Sequence, residues 1–514
     1  MSGGVRLKTS LRLPGDREIM RKKGNIPIPR PVSRPDLMVI SGAYLASQVF
    51  FWVAGGKFDV SLIFTWMHFL DPDLMRTRLL ESLWYTHIQP PLFNLFTAFG
   101  LRLFPISFAV FFAAVFILLG LVMAWVMYWL SRSLGVAKWL AMTATILYVT
   151  GPADMYFRNW YLYTYPVMAM LIFSAGLLFA YLSTGRPIWG WSFFGLLGVI
   201  MMTRYSFHFI WFAAIAAGLF IMLKTRRRQI AVMVAFPALI CLIWLSKNYY
   251  LFSSFSMTSW FGYNISNITI LFLTPDEADA LEAEGKISPL SRVSSVASGR
   301  HLHLYEDYLQ EVGHRWHPAP VLHQMFNSTG MINYNHVDYI PVTRQIARDS
   351  LAVIRYHPKA YLRGLKRSSM FFFWSTLPTI SASTERSILL NYHWVWMLLG
   401  GSIGVPPSAE YHPYDISRAA RQVCWLLVIF YILAPAVFIH DLIRGRGLAR
   451  LDHARLLTIG FLLFNLLYVS TVGILVDCGE NNRFRAEIVP LTVVLAAVIL
   501  QRIIEEIRVK KIQS

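Results

Sequence analysis

The chain has almost no cysteine: three thiols in 514 residues. Cys241 and Cys424 lie inside apolar runs and Cys478 stands alone at the end of another. No disulfide framework follows, and the three read as packing residues. Acidic side chains are also scarce, 28 against 47 basic ones. Missing too are a phosphate-cradling glycine loop, a dinucleotide-binding glycine pattern, zinc-ligand spacing and a serine-hydrolase elbow. With them goes any sign of a soluble nucleotide-sugar site. A cleavable leader is not expected either. The basic N-terminal stretch is long, Pro27-Ile28-Pro29-Arg30-Pro31 reads as extended, and no small-residue cleavage site precedes a short apolar core. Residues 1–36 are expected to form a flexible cytoplasmic tail.

What the chain has in excess is hydrocarbon. It is 56% apolar with a mean hydropathy of +0.48. Apolar runs of roughly 17–24 residues recur, long enough to cross about 30 Å of lipid. They are continuous rather than alternating, which excludes a β-barrel. The fold class is an all-α polytopic membrane protein. Spans are expected at 37–56, 108–132, 136–151, 160–182, 188–203, 206–223, 230–247, 422–441, 455–476 and 487–505, with a total of about ten to thirteen.

The net charge of +19 is distributed rather than spread evenly. Basic residues cluster at Arg6 to Arg34, Lys224 to Arg228, Arg444 to Arg455 and Arg508 to Lys511, each beside an apolar span. By the positive-inside rule they define one cytoplasmic face and place both termini there. Membrane topology and anionic lipid headgroups account for them without a nucleic-acid partner. The chain then divides into the tail (1–36), an N-terminal transmembrane module (37–247) containing a first outer loop (57–96), an extracytoplasmic region (248–421) and C-terminal spans (422–514). Within the extracytoplasmic region, Asp276 to Glu284 is a polar stretch of helix formers and Ser288 to Ser298 is Ser-rich. Thr343 to Phe373 alternates apolar and basic residues at helical spacing, the pattern of amphipathic helices lying on a membrane. The aromatic runs 370–374 and 392–396 fit interfacial anchors or a further hairpin of spans.

Ionisable groups beside hydrocarbon are costly and mark functional sites. The first outer loop holds several. Asp59 lies about one turn beyond the first span between Phe58 and Val60, an apolar setting that brings a carboxylate towards the range of a general base. Asp71 and Asp73 flank Pro72 and read as a turn and helix N-cap. In His87-Ile88-Gln89-Pro90-Pro91-Leu92 the double proline fixes the entry to a helix and presents His87 and Gln89.

These residues resemble the first loop of GT-C membrane glycosyltransferases, nearest to glycosyltransferase family 39, the group of protein O-mannosyltransferases and lipid A aminoarabinose transferases. In that family the loop aspartate after the first span is the catalytic carboxylate, and the match places it at Asp59. The family's Asp-x-His-Pro-Pro-Leu is His87-Ile88-Gln89-Pro90-Pro91-Leu92 here, so a histidine stands where the second aspartate would. A divalent metal at that position is left open, and no other cofactor is implied. Cys478-Gly479-Glu480-Asn481-Asn482-Arg483-Phe484-Arg485 resembles the family's Glu-x-x-Arg-aromatic segment before a C-terminal helix. Arg483 and Arg485 suit a lipid-borne phosphate, which guanidinium grips bidentately. Glu480 is expected to bind substrate or to pair with an arginine. Asp154 in the second outer loop matches an acidic position of some members. Arg204 could contact phosphate, and Lys247-Asn248 with Ser259 to Asn264, Trp260 included, forms an aromatic–polar mix of the kind that stacks on sugars.

The resemblance implies an inverting glycosyltransferase in a bacterial inner (plasma) membrane, with its active site on the extracytoplasmic side. It would move a sugar from a polyprenyl-phosphate donor to a glycan, lipid or protein acceptor, with Asp59 as general base. Two rival readings are a transporter or flippase for a lipid-linked or anionic substrate, and an enzyme-like scaffold without catalysis. Against transport, the polar groups gather at one interface, and the halves show no inverted repeat.

Overall fold

The computed structural model describes residues 32–294, 301–374, 387–402, 423–444, 451–479 and 481–513. The basic tail before residue 32 and Glu480 lie outside the described residues. Helices form at all ten places the hydropathy marks, as lipid requires: with no water to satisfy the backbone, a crossing segment must bond to itself. Six are long and apolar enough to span: Arg34–Val53, Phe108–Ser133, Thr164–Thr184, Lys224–Phe252, Trp425–Ile443 and His453–Leu475. A seventh crossing arises if Asn481–Glu487 and Val489–Val509, which meet at 61°, form one broken span.

The other three of the ten expected spans are present among the described residues as shorter helices. Lys138–Thr150, Pro187–Met201 and Phe209–Met222 have 13, 15 and 14 residues. Their rise of about 20–23 Å falls short of about 30 Å of hydrocarbon.

Thr164–Thr184 is the axis of the bundle. Its Val167, Met168, Ala169, Leu171, Ile172 and Ala175 expose no surface. It packs on Phe108–Ser133, Pro187–Met201, His453–Leu475 and the broken C-terminal pair. Small residues make the close approach feasible, as is usual where helices meet in lipid. Gly176, for example, has Trp129 and Val126 just 3.2–3.3 Å from where a Cβ would sit. The helix stops at Gly185, whose φ of 70° suits glycine.

Connectivity sorts the loops to two ends. One end joins 134–137, 185–186, 223–226 and the C-terminal helix. There Lys138 pairs with Asp36 (2.7 Å), Arg455 donates to the Ser133 carbonyl (3.0 Å) and Arg502 pairs with Asp441 (2.6 Å). The other end gathers 54–107, 151–163, 202–208, 253–294, 301–374, 476–479 and 481–488. The amphipathic stretch forms two helices here, Tyr339–Tyr356 and Pro358–Phe372. The polar Asp276 to Glu284 stretch forms Pro275–Ala283, begun by a Thr274–Glu277 capping box. Two glycines set how tightly this cap closes. A Cβ on Gly262 would strike the Thr343 carbonyl, and one on Gly364 the Ile268 carbonyl.

Candidate functional site

Asp59 is held by its backbone. Its N–H donates to the Asn159 carbonyl (2.8 Å) and its carbonyl accepts from the Tyr161 N–H (2.9 Å), a lone parallel bridge to Trp160. Asn159 is in turn fixed by a reciprocal amide pair with Gln48 of the first helix (2.8 and 3.2 Å). The Asp59 carboxylate is half-buried. One oxygen accepts from the Ser61 N–H (2.8 Å); the other has no hydrogen bond among the described residues.

The 159–163 segment continues into a second constellation. The Tyr163 hydroxyl accepts from Arg483 Nη1 (3.2 Å) and lies 2.8 Å from His68 Nδ1. Arginine only donates; which of Tyr163 and His68 donates in the other contact follows the histidine tautomer. His68 stacks on Tyr163 and meets the edges of Trp66, Tyr205 and Trp260. Behind them Arg204 is fully buried. Its guanidinium carbon lies 4.4 Å from the Tyr163 ring, 4.8 Å from Phe484 and 5.6 Å from Tyr205. Arg204 Nε stands 2.8 Å from Glu487 Oε1, yet its N–H does not point along that line, and neither side chain makes a directed hydrogen bond. The pair is held by charge and by ring faces, each worth about 0.5–2 kcal/mol to a cation.

Arg483 and Arg485 part company. Two residues apart on the Asn481–Glu487 helix, they point about 200° around the axis from one another. Arg483 faces Tyr163 and Trp66, whereas Arg485 Nη1 donates to the Phe372 carbonyl (2.9 Å) and closes the end of the Pro358–Phe372 helix. Glu487, four residues after Arg483, falls on the Arg483 face.

Asp154 sits in a separate, fully buried network. It accepts from Arg158 Nη1 (2.8 Å) and the Tyr165 hydroxyl (2.9 Å), while Arg158 Nη2 donates to Ser47 (3.0 Å) and its guanidinium covers Tyr44. Burial raises the Asp154 pKa, against the pull of Arg158. The network ties the first helix to the 151–163 segment and so supports the bridge that holds Asp59.

His87 is also a brace. Its Nε2 donates to the Asn335 carbonyl (3.0 Å), leaving Nδ1 to accept from the Ser259 hydroxyl (2.7 Å). Its pKa is pulled down to about 3, chiefly by burial. Gln89 is buried beside it. The segment around them is zipped to 258–259, with Ser259 N–H on the His87 carbonyl and the Thr258 hydroxyl on that of Ile88. Lys247 completes the clamp by donating to the Trp84 and Thr86 carbonyls (2.9 and 3.1 Å). Trp260 is buried among Tyr263, Tyr334 and His68. Asp71 caps Pro72–Thr77 and accepts from Ser328 (2.8 Å to its N–H) at the tip of the 325–333 turn.

Thus Asp59, Arg204 and Arg483 share one end of the bundle through the 159–163 segment, whereas Asp154 and His87 face elsewhere with their polar atoms engaged, and Arg485 turns to the Phe372 carbonyl. Trp66, His68, Tyr163, Tyr205 and Glu487 were not singled out in the sequence. Only Glu487 had a local signal, its spacing from Arg483. No group of three or more His, Cys, Asp or Glu side chains among the described residues is placed to hold a metal. His87, with both ring nitrogens engaged, is a poor ligand, so no step is derived through one. Comparison with protein-family models, curated proteins and solved structures returns no match.

Proposed function

We propose that the protein is an integral membrane glycosyltransferase using a polyprenyl-phosphate sugar, acting at the bundle end that carries Asp59. The acceptor hydroxyl gives its proton to the Asp59 carboxylate as its oxygen bonds to the anomeric carbon. The bond from that carbon to the phosphate oxygen breaks, and its electron pair leaves with the polyprenyl phosphate. A single displacement inverts the anomeric centre. Arg483, backed by Arg204, meets the charge developing on phosphate, and a donor with so good a leaving group needs mainly positioning and charge stabilisation. The basic opposite end would face the cytoplasm and the site the extracytoplasmic side.

One observation carries this reading. A half-exposed carboxylate with an uncommitted oxygen is clamped to the segment that, two residues on, seats two buried arginines among aromatic rings. Charges gathered at one end, rather than along a central path, favour an enzyme over a transporter. The test is Asp59→Asn in purified protein supplied with a panel of polyprenyl-phosphate sugars, with products read by mass spectrometry. Transfer should fall by about 10²–10⁴-fold with folding intact; unchanged transfer would reject Asp59 as the base.

A further inference from the structure

The basic end of the bundle holds an open cavity of about 440 Å³ between the Pro187–Met201 and Arg227–Phe252 helices. Trp191, Arg226, Arg228, Gln229, Val232 and Met233 line it, and none of its lining residues is acidic. The smaller cavity at the same end, beside Arg455 and Arg502, contains Glu505. Arg226 is set in place before any ligand arrives. Its guanidinium lies over Tyr181, 5.3 Å from the ring centroid, and Nη1 donates to the Tyr181 carbonyl (3.2 Å). The Tyr181 hydroxyl in turn donates to Gln229 (3.1 Å). An ordered arginine loses little freedom on meeting an anion.

The wall of the cavity leads outward along hydrocarbon. Val232, Phe236, Leu239 and Ile243 recur on one face of the Arg227–Phe252 helix and are all exposed. A soluble anion would have no use for that stripe. A lipid would lay an acyl chain along it, with Trp191 at headgroup level as interfacial tryptophans lie. We propose that this cavity binds the phosphate headgroup of an anionic glycerophospholipid, gripped by Arg226 and Arg228, with a chain on the Val232–Ile243 face. The site is independent of the transfer reaction proposed above and lies at the opposite end of the bundle.

The test uses the purified full chain in detergent, with lipid adducts counted by native mass spectrometry and thermal unfolding followed alongside. Phosphatidylglycerol should bind and raise the unfolding midpoint, and phosphatidylcholine should do neither. Arg226→Gln/Arg228→Gln should lower phosphatidylglycerol occupancy about tenfold, the loss expected from removing charge-assisted bonds. Lys224→Gln/Arg227→Gln changes the net charge equally outside the cavity and should leave occupancy unchanged. Because Arg226 also braces Tyr181, Arg228→Gln alone is measured as well, and it should weaken binding without lowering the midpoint of the lipid-free protein. Equal losses in both double variants would reduce the effect to diffuse attraction and overturn the proposal. So would inorganic phosphate raising the midpoint as much as the lipid does, or full occupancy in Arg226→Gln/Arg228→Gln.

Discussion

Arg158 and Arg204 are both fully buried at the same end of the bundle, and their surroundings differ in kind. Arg158 is answered by directed bonds to Asp154 and Ser47. Arg204 has an opposite charge beside it and three rings around it but no directed hydrogen bond. In the first, Asp154 and both terminal nitrogens of Arg158 are bonded, with only Arg158 Nε left over, and the arrangement acts as a brace. The second leaves donors and acceptors without directed partners in a dry setting, where a phosphate oxygen would be held strongly. Buried charge alone therefore does not mark a site; the state of its hydrogen bonds does.

The comparison breaks most visibly in Arg158→Met. With Asp154 left alone, stability should fall by about 3–5 kcal/mol, read as a lower midpoint or loss of folded protein. Asp154→Asn/Arg158→Met should recover much of that loss, and transfer with it. The same operation on the other pair separates the two. Arg204→Met/Glu487→Gln should fold close to normally yet lose transfer by about 10²–10³-fold, the effect of deleting one preorganised charge stabiliser. If both double variants recover activity alike, the distinction fails. A third prediction probes the cap over the site. Gly364→Ala pushes a methyl into the Ile268 carbonyl and should cost about 1–3 kcal/mol, visible as faster hydrogen exchange through 261–272.

The fourth concerns pH. His87 is neutral in the fold, with its pKa lowered to about 3 from 6.5 by burial. The unfolded chain therefore binds the extra proton between those values and the fold does not, so the contribution to stability is full above about pH 6.5 and is lost as pH falls towards 3. His87→Gln should flatten that part of the stability profile. The smallest effect is expected at Asp71→Ala, where partly exposed bonds to Ser328 are lost. Stability should change by at most about 1 kcal/mol, while protease cleavage within 325–333 rises.

The helices were legible because lipid admits only helices and closed barrels and the apolar runs are continuous, and Asp71 announced its cap through the proline after it. The ends of the shorter helices, Lys138–Thr150, Pro187–Met201 and Phe209–Met222, were read to within three residues. The candidate site was half legible. Asp59 and Arg483 stood out as ionisable groups at the ends of apolar runs. His68, Tyr163 and Tyr205 come from three distant stretches, and aromatic residues are too common in this chain, 15% of it, to be singled out before folding brings them together. His87 stood out in sequence as a departure from a motif; its burial between Ser259 and Asn335 gives it a structural task that no local pattern reveals.

The bridge between Asp59 and Trp160 has one more consequence, for how freely the first loop can change. Its two hydrogen bonds attach the carboxylate to the segment entering the most buried helix, so the position of Asp59 does not depend on the path the chain takes afterwards. The break at Arg78 between the Pro72–Thr77 and Leu79–Trp84 helices, where Arg76 and Arg78 pair with near neighbours, can then change while the carboxylate stays in register with Tyr163 and Arg483. Under the transfer reaction proposed above, acceptor contacts could change at that break without moving Asp59.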